Sequence, residues 1–111
     1  MKLLLKVMFL TMFCAPLTST AEVWHTSTIR NIYPQADGNF VLQFTLDSES
    51  CTNASNPKNY YVSVGQNSMT SDGAWKIYAA AMLAMVRNKT VAIAFDEATA
   101  TCYVNRLVVT N

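Results

Sequence analysis

The feature that most constrains the fold of this chain is one segment with helical periodicity between segments that alternate apolar and polar residues. The clearest alternation covers residues 40–47, where apolar side chains at every second position predict a strand with one buried and one solvated face. Further strands are predicted over residues 23–33, 60–64, 90–95 and 102–110, which are rich in Val, Ile, Thr and aromatic residues.

The helical segment covers residues 74–87, which are rich in Ala, Met and Leu and contain neither Gly nor Pro. Ser71 or Asp72 is the predicted N-terminal cap, and Arg87 with Asn88 suits the C-terminal end. The single helix therefore lies between the third and fourth predicted strands.

The order strand, strand, strand, helix, strand, strand predicts a mainly β domain with one helix, arranged as an OB-fold-like five-stranded barrel. The turn chemistry of Asp37 and Gly38 joins the first two strands as a hairpin. An open α+β sheet with the helix on one face is the alternative, because the order of elements does not require the sheet to close.

The first 21 residues have the composition of an export signal. Lys2 and Lys6 supply the positive start, residues 3–13 form a stretch that is apolar apart from Lys6 and Thr11, and residues 19–21 are small residues suited to cleavage. The sequence therefore predicts a signal peptide over residues 1–21 and a single domain over residues 22–111, located in the periplasm or secreted.

Removal of the signal peptide takes Cys14 with it and leaves two cysteines, Cys51 and Cys102, for which an oxidising compartment predicts one disulfide. Lipid attachment at Cys14 is disfavoured because bulky Phe13 precedes it where a small residue is needed. The alternatives for the remaining pair are a metal site with His25 or a catalytic thiol, and both lack the further residues they would need. We predict no metal and no cofactor.

The charge balance disfavours nucleic acid as a partner. The whole chain has eight basic and seven acidic side chains, and without Lys2 and Lys6 six basic residues remain against seven acidic ones, a net charge of −1. Such a domain has no basic excess to hold a phosphate backbone. No stretch after residue 21 reaches the length of uninterrupted apolar sequence that a membrane span requires, so we predict no membrane span.

The predicted helix is apolar on nearly all sides. One apolar stripe consists of Trp75, Ala79, Met82 and Val86. A second consists of Ile77, Ala81, Ala84 and Met85. Since a small domain cannot easily surround a helix, we predict homo-oligomerisation through the second stripe, where small Ala side chains allow close approach. Burial of the helix within a single chain is the alternative.

Several features together resemble a known group of proteins. They are an early Trp24, the Asp-Gly turn, Cys51 after the second strand, an Ala- and Met-rich helix that leads into "NKTVAIAFD", and the closing strand "CYVNRLVVT". The chain resembles small uncharacterised secreted proteins of Gram-negative bacteria and, more distantly, the B subunits of AB5 toxins of the subtilase cytotoxin kind. That resemblance implies OB-fold barrels in a ring around a pore lined by the helix, with a glycan-binding outer face. The chain shows no sugar-site motif, so no ligand-binding residue is assigned and toxicity is not implied.

The residues do not favour catalysis. His25 is the single histidine, and the serine hydrolase and zinc protease motifs do not occur in the chain. Acidic pairs occur in predicted loops, where solvated turn residues are expected and a calcium site or sugar contact is the alternative. These pairs are Asp47 with Glu49 and Asp96 with Glu97. Aromatic residues that would serve sugar stacking, or simply belong to the core, are Tyr33, Tyr60, Tyr61 and Tyr103.

The sequence thus predicts an exported, non-enzymatic binding module with a glycan or protein ligand, assembled as a homo-oligomer through its helix. The alternative is a monomeric periplasmic protein with a structural or stress-related role that binds a protein or a small cationic ligand.

Overall fold

The computed structural model describes residues 22–111, and within them the chain forms five strands and one helix in the predicted order. The strands are β1 (Glu22–Pro34), β2 (Phe40–Phe44), β3 (Tyr60–Val62), β4 (Thr90–Asp96) and β5 (Val104–Val109), and the helix is α1 (Ser71–Val86). The mainly β class with one helix is therefore confirmed. The predicted signal peptide lies outside the described residues.

All five strands belong to one sheet with the order β3-β2-β1-β4-β5, and every neighbouring pair is antiparallel. The 13-residue β1 lies at the centre because it pairs with two partners in succession. Its first half pairs with β4 from Glu22 to Thr28, and its second half pairs with β2 from Ile29 to Pro34. A register shift between Ile29 and Asn31 marks the point where the strand changes partner, and such irregularities bend a strand.

A closed barrel would require β3 and β5 to pair along their length, and they do not. The predicted barrel is therefore corrected to an open five-stranded sheet. The edge strands β3 and β5 are joined by a single parallel bridge between Tyr61 and Tyr103. There, the Tyr61 amide donates to the carbonyl oxygen of Cys102 at 3.3 Å. Two local features limit the contact: β3 has only three residues, and Cys102 has a φ of 51°, so that β5 begins at Val104 rather than at Cys102.

The predicted disulfide between Cys51 and Cys102 is confirmed. It joins the loop after β2 to the segment before β5, and both cysteines are fully buried. The bridge therefore lies next to the contact between Tyr61 and Tyr103 and covalently joins the loop that precedes the edge strand β3 to the segment that precedes the edge strand β5.

The core lies between one face of the sheet and α1. In β4, every second residue, Val91, Ile93 and Phe95, is fully buried in the core cluster, and Ala94 on the other face is buried as well. The solvated face predicted for β2 is wrong, since all five of its residues are buried. Gln43 on that face is covered by the loop before β3, where its amide donates to the Asn59 side chain at 2.8 Å.

The N-cap lies one residue before Ser71 and two before Asp72, the two predicted caps, and the helix begins at Ser71. Thr70 is the N-cap, and its hydroxyl accepts a hydrogen bond from the Gly73 amide at 2.9 Å. At the other end, Asn88 has a φ of 53° and the Lys89 amide donates to the Ala84 carbonyl at 2.8 Å. A residue in the left-handed conformation, followed by an amide that donates to the carbonyl five residues earlier, is the Schellman motif that commonly ends a helix.

Candidate functional site

The orientation of α1 decides which of its apolar stripes is accessible. Ala74, Ala81 and Ala84 face the sheet, and Ala81 and Ala84 are 0% exposed within their own chain. Ile77 is half-buried and packs against the same core, and of the predicted interface residues only Met85 is exposed. The predicted interface is therefore corrected: Ala81 and Ala84 are unavailable to a second chain because the sheet of their own chain already covers them.

The stripe on the opposite side of α1 is the accessible one. Trp75 is 67% exposed and Val86 is 77% exposed, and Ala79, Met82 and Leu83 lie exposed between them. We define Ala79, Met82, Leu83 and Val86 as the outer helix face. A 16-residue helix packed on one sheet buries only the side that contacts it, so large apolar side chains remain on the other.

Few charges interrupt this side of the helix. Lys76 forms an ion pair with Asp72 one turn earlier, at 3.0 Å between the ammonium nitrogen and the carboxylate, and both side chains are largely exposed. Arg87 follows the last helical residue. The middle of the outer helix face is therefore uncharged, which makes it chemically compatible with a copy of itself.

A groove of about 600 Å³ lies at the N-terminal end of α1, between the helix and the turn that joins β1 to β2. Trp75 and Tyr78 line it from the helix, and their rings stack with centroids 5.8 Å apart and planes 9° apart. The edge-to-face contact between Tyr78 and Phe40, with centroids 5.2 Å apart, fixes this aromatic pair against the core. The volume falls in the range of small-molecule sites.

The other wall of the groove is a turn held by its own side chains. One Asp37 carboxylate oxygen accepts a hydrogen bond from the Asn39 amide at 3.0 Å, and the other accepts from the Asn39 side chain at 3.1 Å. The Asn39 side-chain oxygen in turn accepts from the Val64 amide at 2.9 Å. Gly38 has a φ of 89°, a conformation that favours glycine. These contacts give the groove a fixed wall before any ligand arrives.

His25 contacts the loop after β2 and the ring of Tyr60. Its Nε2 donates to the Leu46 carbonyl oxygen at 2.6 Å, and its ring stacks on that of Tyr60 with centroids 5.9 Å apart. The Tyr60 hydroxyl accepts from the Ser48 amide at 2.8 Å and donates to the Asp47 carboxylate at 3.2 Å. These contacts hold the loop after β2 against the sheet.

Burial raises the pKa of Tyr60 to about 12, with the charge and the hydrogen bond of Asp47 acting in the same direction and the Ser48 amide opposing them. The phenolate is disfavoured in the folded chain, whereas in the unfolded chain it forms near the ordinary value of 10.0. The contribution of Tyr60 to stability is therefore complete below pH 10 and is lost as the pH rises towards 12.

We expect Tyr60→Phe to lower the free energy of unfolding by about 1–2 kcal/mol at neutral pH, because the Ser48 amide and Asp47 lose their buried partner. The same variant should lose less stability than the wild type between neutral pH and about pH 11. Urea denaturation at both pH values measures this, with the exposed Tyr33→Phe as control. Equal alkaline losses in wild type and Tyr60→Phe would contradict it.

The remaining predicted acidic and aromatic candidates do not gather into one site. Asp96 accepts from the Ala98 amide at 2.8 Å, which is the role of a turn residue. Tyr60 is fully buried, Tyr61 and Tyr103 are half-buried, and Tyr33 is exposed. Glu49 is exposed in the loop after β2, and Glu97 is exposed in the turn after β4. Within residues 22–111 no group of three or more His, Cys, Asp or Glu side chains is placed to hold a metal ion.

Comparisons with protein-family models and with curated protein sequences do not assign a family or a function to this chain. The chain matches no protein-family model, and no curated protein sequence matches it. In the described part of the chain, no helix combines the length and the apolar character needed to cross a membrane.

The groove is the feature that sequence reasoning missed. Trp75 and Tyr78 are three positions apart on a helix, which predicts that they are neighbours. Nothing in the sequence predicts that Asp37, in a distant turn, faces the same space.

Proposed function

We propose that this chain is an exported, non-enzymatic binding module that associates with further copies of itself through the outer helix face. The observation that carries the proposal is the exposure of Met82, Leu83 and Val86 as a continuous apolar surface on the only helix of the described residues. Contiguous apolar surface of this kind on a small domain is typical of interaction sites. The confirmed disulfide supports a location outside the cytoplasm.

A second copy is the occupant that the surface fits best. The outer helix face carries no charged residue, so two copies meet without burying an unpaired charge. Ala79 lies at its N-terminal end and allows a second helix to approach closely there, and the flexible Met82 adapts to the partner surface. The proposed interface thus uses the opposite side of the helix from the one that the sequence predicted.

The proposal includes an OB-like arrangement of the sheet. The antiparallel order β3-β2-β1-β4-β5, the helix between β3 and β4, and the parallel contact of Tyr61 with Tyr103 support it. The glycan ligand and the ring assembly implied by the resemblance to AB5 toxin B subunits stay predictions. A glycan array probed with the purified assembly tests the first of these.

Met82→Glu and Val86→Glu test self-association. Burial of a Met or Val side chain contributes roughly 1.5–3 kcal/mol, so we expect each variant to raise the dissociation constant about tenfold or more. Sedimentation equilibrium of the chain from Glu22 onward, at micromolar concentration, measures it.

Val108→Glu is the matched control, because Val108 is an exposed valine on β5 outside the helix. It should leave the assembly intact. A wild-type chain that sediments as a monomer at micromolar concentration would contradict the proposal and favour the monomeric periplasmic protein.

A further inference from the structure

The groove at the N-terminal end of α1 combines accessible aromatic rings with a single charge. Among its lining residues in the described chain, Asp37 is the only one with a charged side chain, and no lysine, arginine or histidine contributes. The nearby Asp72 is paired with Lys76. A ligand in the groove therefore meets one negative carboxylate and the faces or edges of Trp75 and Tyr78.

Two of the polar side chains in the groove, Asp37 and Asn39, are bonded to each other. Both Asp37 carboxylate oxygens accept from Asn39, and the Asn39 side chain donates to Asp37 and accepts from Val64. A guanidinium group binds a carboxylate best through two parallel hydrogen bonds, and each oxygen of this carboxylate already uses one of its about two acceptor sites for Asn39. A sugar requires several directed donors and acceptors, and besides Asp37 and Asn39 the groove offers these on the side chains of Gln35 and Ser71 and on the polar ends of the rings of Trp75 and Tyr78.

A quaternary ammonium group requires neither kind of hydrogen bond. It carries a full positive charge with a methyl surface, and it is recognised by aromatic rings and by a negative potential rather than by directed donors. We propose that the groove binds a small quaternary ammonium cation, with Trp75 and Tyr78 as the aromatic contacts and Asp37 as the counter-charge.

This site is separate from the proposed self-association. Trp75 lies in the first turn and a half of the helix, whereas Met82 and Val86 of the outer helix face lie in its second half. Cation binding is therefore expected in Val86→Glu as well as in the wild type, so failure of one proposal leaves the other standing.

Choline and its neutral carbon analogue, in which the ammonium nitrogen is replaced by carbon, are the probes. The two molecules have nearly the same shape, so any difference in affinity reports the charge. The sequence has two tryptophans, and Trp24→Phe leaves Trp75 as the single tryptophan, whose emission is selected by excitation at wavelengths that tyrosine does not absorb. We expect choline to change the Trp75 fluorescence with a dissociation constant at least about fivefold lower than that of the neutral analogue. Added salt should weaken the binding of choline only.

Asp37→Asn should remove this preference while keeping the side-chain oxygen that accepts from the Asn39 amide. Asp96→Asn is the matched control, because Asp96 makes the same kind of turn contact, with the Ala98 amide, outside the groove. Equilibrium dialysis of choline with Trp75→Leu, whose exposed position makes it compatible with folding, should show loss of binding.

Equal affinity for choline and the neutral analogue, or no binding of either, would overturn the proposal. So would unchanged choline binding in Asp37→Asn or Trp75→Leu. Neutral methyl glycosides are titrated in parallel. A fluorescence response to them without a response to choline would show that the groove binds a sugar and not a cation.

Discussion

Removal of the disulfide between Cys51 and Cys102 is expected to lower the free energy of unfolding by about 4 kcal/mol, because the bridge closes a loop with a sequence separation of 51. A domain of this size has a net stability of only about 5–10 kcal/mol, so the loss amounts to a large part of the total. Variants in which the cysteines are replaced should lose more stability than loop closure alone predicts. Both cysteines are fully buried, so their replacement also removes side-chain volume from the core.

Urea denaturation of the wild type with and without reductant measures the contribution of the bridge without changing the packing. The Cys51→Ala/Cys102→Ala variant is the control, because its midpoint should not respond to reductant at all. We expect the reduced wild type to unfold at a markedly lower urea concentration. A difference below about 1 kcal/mol between oxidised and reduced protein would contradict this expectation and show that the bridge adds little to the free energy of unfolding.

Ala81→Glu is expected to prevent folding, because it should lower the free energy of unfolding by about 4 kcal/mol or more. Ala81 is fully buried where α1 packs on the sheet, so glutamate would bring both excess volume and an unpaired charge into the core. Losses of this size exceed those of most single substitutions and approach the whole stability of a small domain.

Val86→Glu is the matched control on the same helix, since it introduces the same side chain at a position that is 77% exposed. It should change the stability of the isolated chain by no more than about 0.5 kcal/mol. Circular dichroism with thermal denaturation compares the two variants. If Ala81→Glu retained the spectrum and melting temperature of the wild type, the helix would be turned the other way, with Ala81 on its outer side.

The sequence predicted the elements well because each depends on local periodicity. The alternation of Val91, Ile93 and Phe95 identifies β4 without reference to any other part of the chain. Asp37 and Gly38 identify their turn because glycine favours the positive φ found there. The disulfide was predictable for another reason: once the signal peptide is set aside, Cys51 and Cys102 have no other cysteine partner.

The groove and the outer helix face could not be predicted in the same way. The groove depends on how the turn at Asp37 and the first helical turns meet across the end of the sheet, which no local pattern encodes. The self-association surface depends on the rotation of α1 about its axis. The sequence shows two apolar stripes at helical spacing and does not say which one packs on the sheet.

The order of elements, the disulfide and the excess of apolar surface on the helix were thus determined by the sequence itself, because they follow from residue types and their spacing. Tertiary structure alone decided the helix orientation and the extent of contact between β3 and β5. The physical reason is packing: small side chains such as Ala81 and Ala84 let the helix lie close to the sheet, whereas the larger Met82 and Val86 remain outside. The three residues of β3 leave the sheet open except at one bridge.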